Sequence, residues 1–157
     1  MQAMPGAVAV SGGAVSADGS ATGPEFVAAS GGKDHVRFWK RNGRSLECVR
    51  GLFGSKGRVQ SVICGAVVRG NLVTGTASGH LYRWDGRTVG ASIPTSDGSH
   101  KLRSVYHIDA RGSALVVGMR DGTVRVFDAS LQPHAKIDLA ESQDKSMDGA
   151  VHAVALR

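Results

Sequence analysis

The sequence predicts an all-β fold built by repeating one four-stranded antiparallel unit. Three observations predict it. Apolar and polar residues alternate with period two in short runs, which is the pattern of a strand and not of a helix. The chain has 22 Gly against 4 Pro in 157 residues, so tight reversals are frequent. One hairpin pattern occurs three times, as "VAASGGKDHVRFWK" from Val27, "LVTGTASGHLYRWD" from Leu72 and "LVVGMRDGTVRVFD" from Leu115. Aligned on the terminal aromatic, the copies place Trp39, Trp84 and Phe127 in one column, 45 and 43 residues apart.

The first unit spans 6–50. An apolar run from Ala7 to Val10 opens it, "FVAAS" follows, Gly32-Lys33-Asp34 reverses the chain, and "HVRFW" returns with Val36 and Phe38 on one face and His35, Arg37 and Trp39 on the other. A shorter, more polar run from Ser45 to Val49 closes it after the turn at Asn42-Gly43. The second unit, 58–94, repeats the order with Val59 to Val68, "LVTGT", "HLYRW" and Thr88 to Ile93, and reverses at Ser78-Gly79. Its Leu81 face carries Arg83 where the other copies have Phe38 and Val126, which suits a rim position or an Arg buried by its stem. The third, 100–139, runs through Leu102 to Ile108, "LVVG", "TVRVF" and His134 to Leu139, reversing at Asp121-Gly122. Gly79 and Gly122 supply the positive φ that a two-residue turn demands. A polar connector, 140–148, leads to "GAVHAVALR", 149–157, which reads as the first strand of a fourth unit.

A period in the low forties with four strands per repeat is that of a propeller blade, and helical repeats of similar length would need a 3.6-residue period that is absent here. The expected fold is therefore a β-propeller fragment of three blades plus the first strand of a fourth. Propeller rings hold about four to eight blades. Further blades, or further copies of the chain, are thus expected to complete the ring and cover the open edges.

Composition narrows the function classes. Hydrophobic residues make up 41% and charged residues 20%, as in a soluble domain. No run approaches the ~20 apolar residues of a membrane helix, and "MQAMPGAVAVSGGAV" lacks the basic start and long apolar stretch of a secretory leader. A cytoplasmic protein with no membrane partner is expected. Cys48 and Cys64 are too few for a disulfide framework and have no metal-site spacing.

The net charge of +6 is concentrated in one segment. Residues 33–58 contain Lys33, Arg37, Lys40, Arg41, Arg44, Arg50, Lys56 and Arg58 against Asp34 and Glu47 only, and the rest of the chain is neutral. Eight cations in one blade and its following loop would form a contiguous patch that steers an acidic partner. Few aromatics interleave them, which disfavours stacking on nucleic-acid bases.

The hairpins resemble those of WD-repeat propellers. In that family's pattern Ser99-His100 stands where a Gly-His pair opens a blade, Asp121 at the turn Asp, and Trp39 and Trp84 at the Trp, with Phe127 replacing the third. The resemblance implies a hydrogen-bonded structural network of His100, Asp121 and a Thr or Ser; Lys33 and Ser78 occupy the Asp position in the other two blades. A narrower likeness, in "SGGKDHVRFWKRNGRSLECVRGLFGSKGRVQSVIC" and "NLVTGTASGHLYRW", is to the echinoderm microtubule-associated protein-like family, on Gly32, Lys33, His35, Trp39, Gly51, Leu52 and Phe53. It implies a cytoskeletal scaffold, with tubulin or microtubules as partner and the cytoskeleton or cilium as location. A generic WD-repeat adaptor in a ubiquitin-ligase, trafficking or ciliary assembly stands as the alternative.

Chemistry of other kinds finds no support in the motifs. Gly31-Gly32-Lys33 is followed by Asp34 and lies in a hairpin, so it is no phosphate-binding loop. "GLFGSKGR", 51–58, has the glycines and cations of an anion nest, although an exposed loop between blades has the same composition. The six His show neither i, i+4 pairing nor nearby carboxylates, and no Gly-x-Ser-x-Gly elbow occurs. Asp109 and Asp128 are the nearest candidates for catalytic carboxylates, and both suit turns at strand ends. No catalysis and no cofactor or metal are expected.

Overall fold

The computed structural model describes residues 7–8, 26–96, 103–138 and 149–157. Twelve strands form three antiparallel sheets. Sheet one contains β1 (Ala7–Val8), β2 (Phe26–Gly32), β3 (His35–Asn42) and β4 (Ser45–Arg50). Sheet two contains β5 (Val62–Val68), β6 (Asn71–Thr76), β7 (His80–Asp85) and β8 (Thr88–Pro94). Sheet three contains β9 (Val105–Arg111), β10 (Ala114–Met119), β11 (Thr123–Asp128) and β12 (Pro133–Asp138). Each is a meander in which neighbours in sequence are neighbours in space, and no helix occurs among the described residues.

The turns differ from expectation in detail. In sheets two and three the reversal is a three-residue loop: the Gly79 N–H donates to the Thr76 carbonyl at 3.2 Å and the Gly122 N–H to the Met119 carbonyl at 3.3 Å. The glycines then take φ of 80° and 82°, the left-handed step that restores strand pairing. Sheet one turns in two residues, Gly32 pairing with His35, and the left-handed residue is Asp34 at φ 59°. Asp tolerates that conformation, so Gly32 is free to remain in the strand. The connection from β5 to β6 uses Arg69 and Gly70, both at positive φ, which is the type I′ geometry.

Strand alternation gives the sheets apolar faces, and they stack on them. Val36 and Phe38 of β3 face sheet two and meet Tyr82, Trp84 and Val89, with Ala29, Val62 and Leu72 completing one cluster. Val73 and Leu81, on the opposite face of sheet two, join Val105, Ile108, Leu115, Val117 and Phe127 in the next. Arg83 shares that face; its stem is half-buried and its Nε lies 3.6 Å from Asp85 Oδ1. Gly31, Gly75 and Gly118 recur at one position of the second strand, where the first strand of the following sheet approaches. A Cβ on Gly31 would lie 2.8 Å from Val62 Cγ1, and Val105 stands against Gly75 in the same way.

Residues 149–157 take the corresponding place beside sheet three but form no strand. Val151 Cγ1 lies 2.8 Å from where a Cβ on Gly118 would be. The Val151 N–H donates to Met119 O at 2.9 Å, Val154 N–H to His107 Nδ1 at 3.3 Å and Leu156 N–H to Asp109 Oδ2 at 2.7 Å. A strand needs a ladder partner along its length, and no described residue offers one, so the anticipated fourth-unit strand is present only as docked chain. The connector 140–148 lies outside the described residues.

The aromatic column has a partner column. Trp39 Nε1–H donates to Ser30 Oγ at 3.1 Å and Trp84 Nε1–H to Thr74 Oγ1 at 3.0 Å. In sheet three Phe127 has no N–H to satisfy, and the residue at that position is Val117. Replacing Trp84 by Phe should therefore strand the Thr74 hydroxyl in a buried interface and cost about 1–3 kcal/mol. The double variant W84F/T74V, which copies sheet three, should recover part of that loss in a urea-denaturation double-mutant cycle.

Candidate protein-binding surface

The expected structural positions fall between sheets or in hairpin turns where they are described. Trp84 and Phe127 are buried between sheets, and Trp39 is half-buried because no described residue stacks a further sheet on its side of sheet one. Asp121 accepts from the Thr123 N–H at 3.1 Å and the Thr123 hydroxyl at 2.7 Å, tying the hairpin whose left-handed residue is Gly122. Gly79 does the same backbone duty in sheet two, where Ser78 bonds His80 Nδ1 at 3.0 Å. His35 Nδ1 contacts the Lys33 carbonyl at 2.9 Å. His100 lies outside the described residues.

The basic segment is divided by the pleat. Arg37 pairs with Arg50, Trp39 with Cys48 and Arg41 with Leu46, so Arg37, Arg41 and Arg50 share the outer face of sheet one. Lys40 points to the other face and bonds Glu47 at 2.9 Å; its ammonium, and then the Asn42 amide, hold the Glu47 carboxyl below the ordinary value. Arg44 sits exposed in the turn between β3 and β4. Lys56 and Arg58 belong to the next sheet: Lys56 Nζ donates to the Gly90 carbonyl at 2.9 Å, and the Arg58 N–H donates to Tyr82 Oη at 3.1 Å. The seven cations Arg37, Lys40, Arg41, Arg44, Arg50, Lys56 and Arg58 thus occupy an outer face, a hairpin tip and an inter-sheet loop. They do not make one continuous patch.

Two of them do converge. Arg37 and Arg50, directly opposite on neighbouring strands, line an open pocket of about 500 Å3 with Lys33, Asp34, His35 and Cys48. Like charges facing each other across a ladder are destabilising unless solvent or an anion intervenes. Lys33, Arg37 and Arg50 form no ion pair among the described residues.

The loop 51–58 runs between two sheets as the inter-blade reading expects, exposed at Leu52, Gly54, Ser55, Lys56 and Arg58, and it also clasps the sheets together. The Gly51 N–H donates to Val36 O at 2.8 Å, the Leu52 N–H to Arg87 O at 2.7 Å and the Val89 N–H to Leu52 O at 3.0 Å. Phe53, 7% exposed, packs edge-on against Trp84 and Tyr82 with ring centroids 5.5 and 6.0 Å away. The Gly51 and Leu52 N–H groups reach sheets one and two, and the Gly57 N–H closes the loop on the Phe53 carbonyl at 2.9 Å. The Gly-Leu-Phe string was visible in the sequence; that its Phe plugs the neighbouring sheet's aromatic pair was not.

The two carboxylates singled out for catalysis are committed to backbone. Asp128 accepts from the Ser130 and Gln132 N–H groups, each at 2.8 Å. The Gln132 donor chiefly, with Ser130 and the His134 imidazole, holds its carboxyl below the ordinary value. Asp109 lies within β9, not at its end, and accepts from Ala110 and Leu156. No group of three His, Cys, Asp or Glu side chains suited to a metal exists among the described residues, nor does a helix long and apolar enough to cross a membrane.

No known family model matches the chain. Among curated proteins it is similar to Echinoderm microtubule-associated protein-like 2 of Mus musculus, 30% identical over 94 residues, and of Homo sapiens, 39% identical over 94 residues. The matched stretch is 59% of this chain and 13% of each relative. Among solved structures it superposes on the WD40 β-propeller domain of Doa1 with TM-score 0.57 and 11% identity, covering 73% of this chain and 38% of that one. The structure of U3-55K follows with TM-score 0.54 and 16% identity, covering 71% and 38%. The three stacked sheets have the fold of blades of a WD40 β-propeller.

Burial pushes the Cys64 thiol up to about 12, whereas Cys48 is exposed in the pocket. At neutral pH iodoacetamide should modify Cys48 in the native protein and leave Cys64 intact until denaturant is added. Peptide mapping after brief treatment checks this.

Proposed function

We propose that the chain is a non-catalytic interaction platform of a cytoplasmic, cytoskeleton-associated scaffold, binding an acidic protein partner, with the microtubule surface as the first to test. The observation that carries this reading is the imbalance of charge on blade one. Of the six basic residues between 33 and 50, Lys40 alone forms an ion pair among the described residues. Exposed uncompensated cations on a rigid sheet raise the encounter rate with an acidic surface and orient it. The partial likeness to a microtubule-associated protein supports the choice of partner. The commitment of Asp109 and Asp128 to backbone hydrogen bonds supports a non-catalytic role. Nucleic acid is the weaker partner, because Trp84 and Phe38 are spent in the core and cannot stack on bases.

Microtubule co-sedimentation at low ionic strength tests the proposal: the chain should pellet with polymer and be released by added salt. Reversing Arg41, Arg44 and Lys56 to Glu should weaken binding about tenfold and flatten its salt dependence. Wild-type chain that stays in the supernatant at low salt would sink the microtubule reading.

A further inference from the structure

Each sheet is a meander, so the reversals between its first and second and its third and fourth strands lie at one end, and the reversal between its second and third lies at the other. Successive sheets stack in the same sense, with equivalent contacts at Gly31, Gly75 and Gly118, and the first set of reversals therefore shares one rim of the stack. Blades join a ring face to face, so completing the ring leaves the strand ends of this rim uncovered.

Four of the five described reversals on that rim carry an exposed arginine in the turn or directly before it: Gly43-Arg44, Arg69-Gly70, Gly86-Arg87 and Arg111-Gly112. Each arginine adjoins a glycine at positive φ. Beyond the chain neighbours, no atom of a described residue lies within 4 Å of where a Cβ would stand on Gly43, Gly70, Gly86 or Gly112. These tips stand clear of the fold. At the opposite rim a Cβ on Gly79 would lie 2.5 Å from the Arg103 carbonyl oxygen.

The turns themselves do not call for arginine. Arg69 takes φ of 47°, a conformation that favours Gly, Asn or Asp, so it holds its tip against local preference. Arg44, Arg69, Arg87 and Arg111 form no ion pair among the described residues. The described carboxylates of this rim are already engaged: Glu47 with Lys40, Asp85 3.6 Å from Arg83 Nε, and Asp128 with the Ser130 and Gln132 N–H groups. Guanidinium forks bind carboxylates bidentately, and a row of them suits a polyanion. The four turns hold no aromatic side chain to stack on a base, so the polyanion they fit is an acidic protein and not a nucleic acid.

We infer that the arginine tips of blades one to three form a binding surface for an acidic segment of a partner protein lying across the rim. This rests on the acidic-partner reading above and deepens it, because it assigns the contact to Arg44, Arg69, Arg87 and Arg111, of which only Arg44 belongs to the basic segment 33–58.

The test compares two triple reversals of equal charge in the full chain. R69E/R87E/R111E removes cations from the tips, and K33E/R103E/R120E removes exposed cations in or beside the reversals of the opposite rim. Against a fluorescein-labelled oligoglutamate peptide the tip triple should weaken binding about tenfold or more and the opposite triple clearly less, because net charge changes equally in both. R69N separates binding from folding: Asn suits a left-handed turn, so this variant should keep or raise the urea midpoint while weakening the peptide. Equal losses in the two triples, or a tip triple that binds like wild type, refute the rim and leave diffuse acidic-partner binding standing. A wild-type chain that pellets with microtubules but ignores the peptide likewise refutes the rim. Duplex DNA held more tightly than the peptide through the same arginines overturns the assignment to a protein partner. Failure of the wild-type chain with both microtubules and peptide overturns both readings.

Discussion

A four-stranded sheet cannot bury its apolar faces by itself. The contact that resolves this is the aromatic of the third strand pressed into the trailing face of the sheet before it, as Trp84 is pressed against Phe38 with ring centroids 5.4 Å apart. Everything else follows from stacking. The Gly31, Gly75 and Gly118 positions exist because the next sheet's first strand passes too close for a side chain. The clasp 51–58 exists because the chain must cross from the outer strand of one sheet to the inner strand of the next, and Phe53 uses that crossing to complete the aromatic cluster.

The same constraint shapes the surface available for function. A repeat in which both faces are committed to neighbours leaves only hairpin tips, outer edges and inter-sheet slots for partners. Blade one differs from blade two in where it places charge: Arg37 and Arg50 stand at positions filled by Tyr82 and Ser92 in blade two. In blade three the corresponding pair is Arg125 and Lys136, with Arg125 9% exposed beneath sheet two and Lys136 3.9 Å from Asp138. A cationic pair at this position is therefore compatible with the fold when the aliphatic stems pack, even with the Arg125 Nε buried without a hydrogen-bond partner among the described residues.

The aromatic column and its partner illustrate how a repeat stays foldable while its sequence drifts. Where the indole is kept, Ser30 or Thr74 supplies an acceptor; where Phe127 replaces it, Val117 replaces the hydroxyl. Polar and apolar solutions each leave no orphaned group in the interface. Asp34 substitutes for the turn glycine on the same principle, since the requirement is a left-handed backbone and not a particular residue.

Period-two alternation, the recurring Gly-containing turns and the spacing of Trp39, Trp84 and Phe127 were enough to establish an all-β chain of repeated meanders, because these depend on backbone geometry and on contacts close in sequence. Which face of a strand each cation occupies depends on register, and register was legible only in part: Lys40 and Arg41 are adjacent in the chain yet lie on opposite sides of sheet one. That Phe53 plugs sheet two, that 149–157 docks without forming a strand, and that Arg58 and Gln60 bond the Tyr82 hydroxyl were decided by tertiary structure alone. These are contacts between segments distant in sequence, whose partners are chosen by packing volume and by unsatisfied backbone donors, and neither quantity exists until the sheets are stacked.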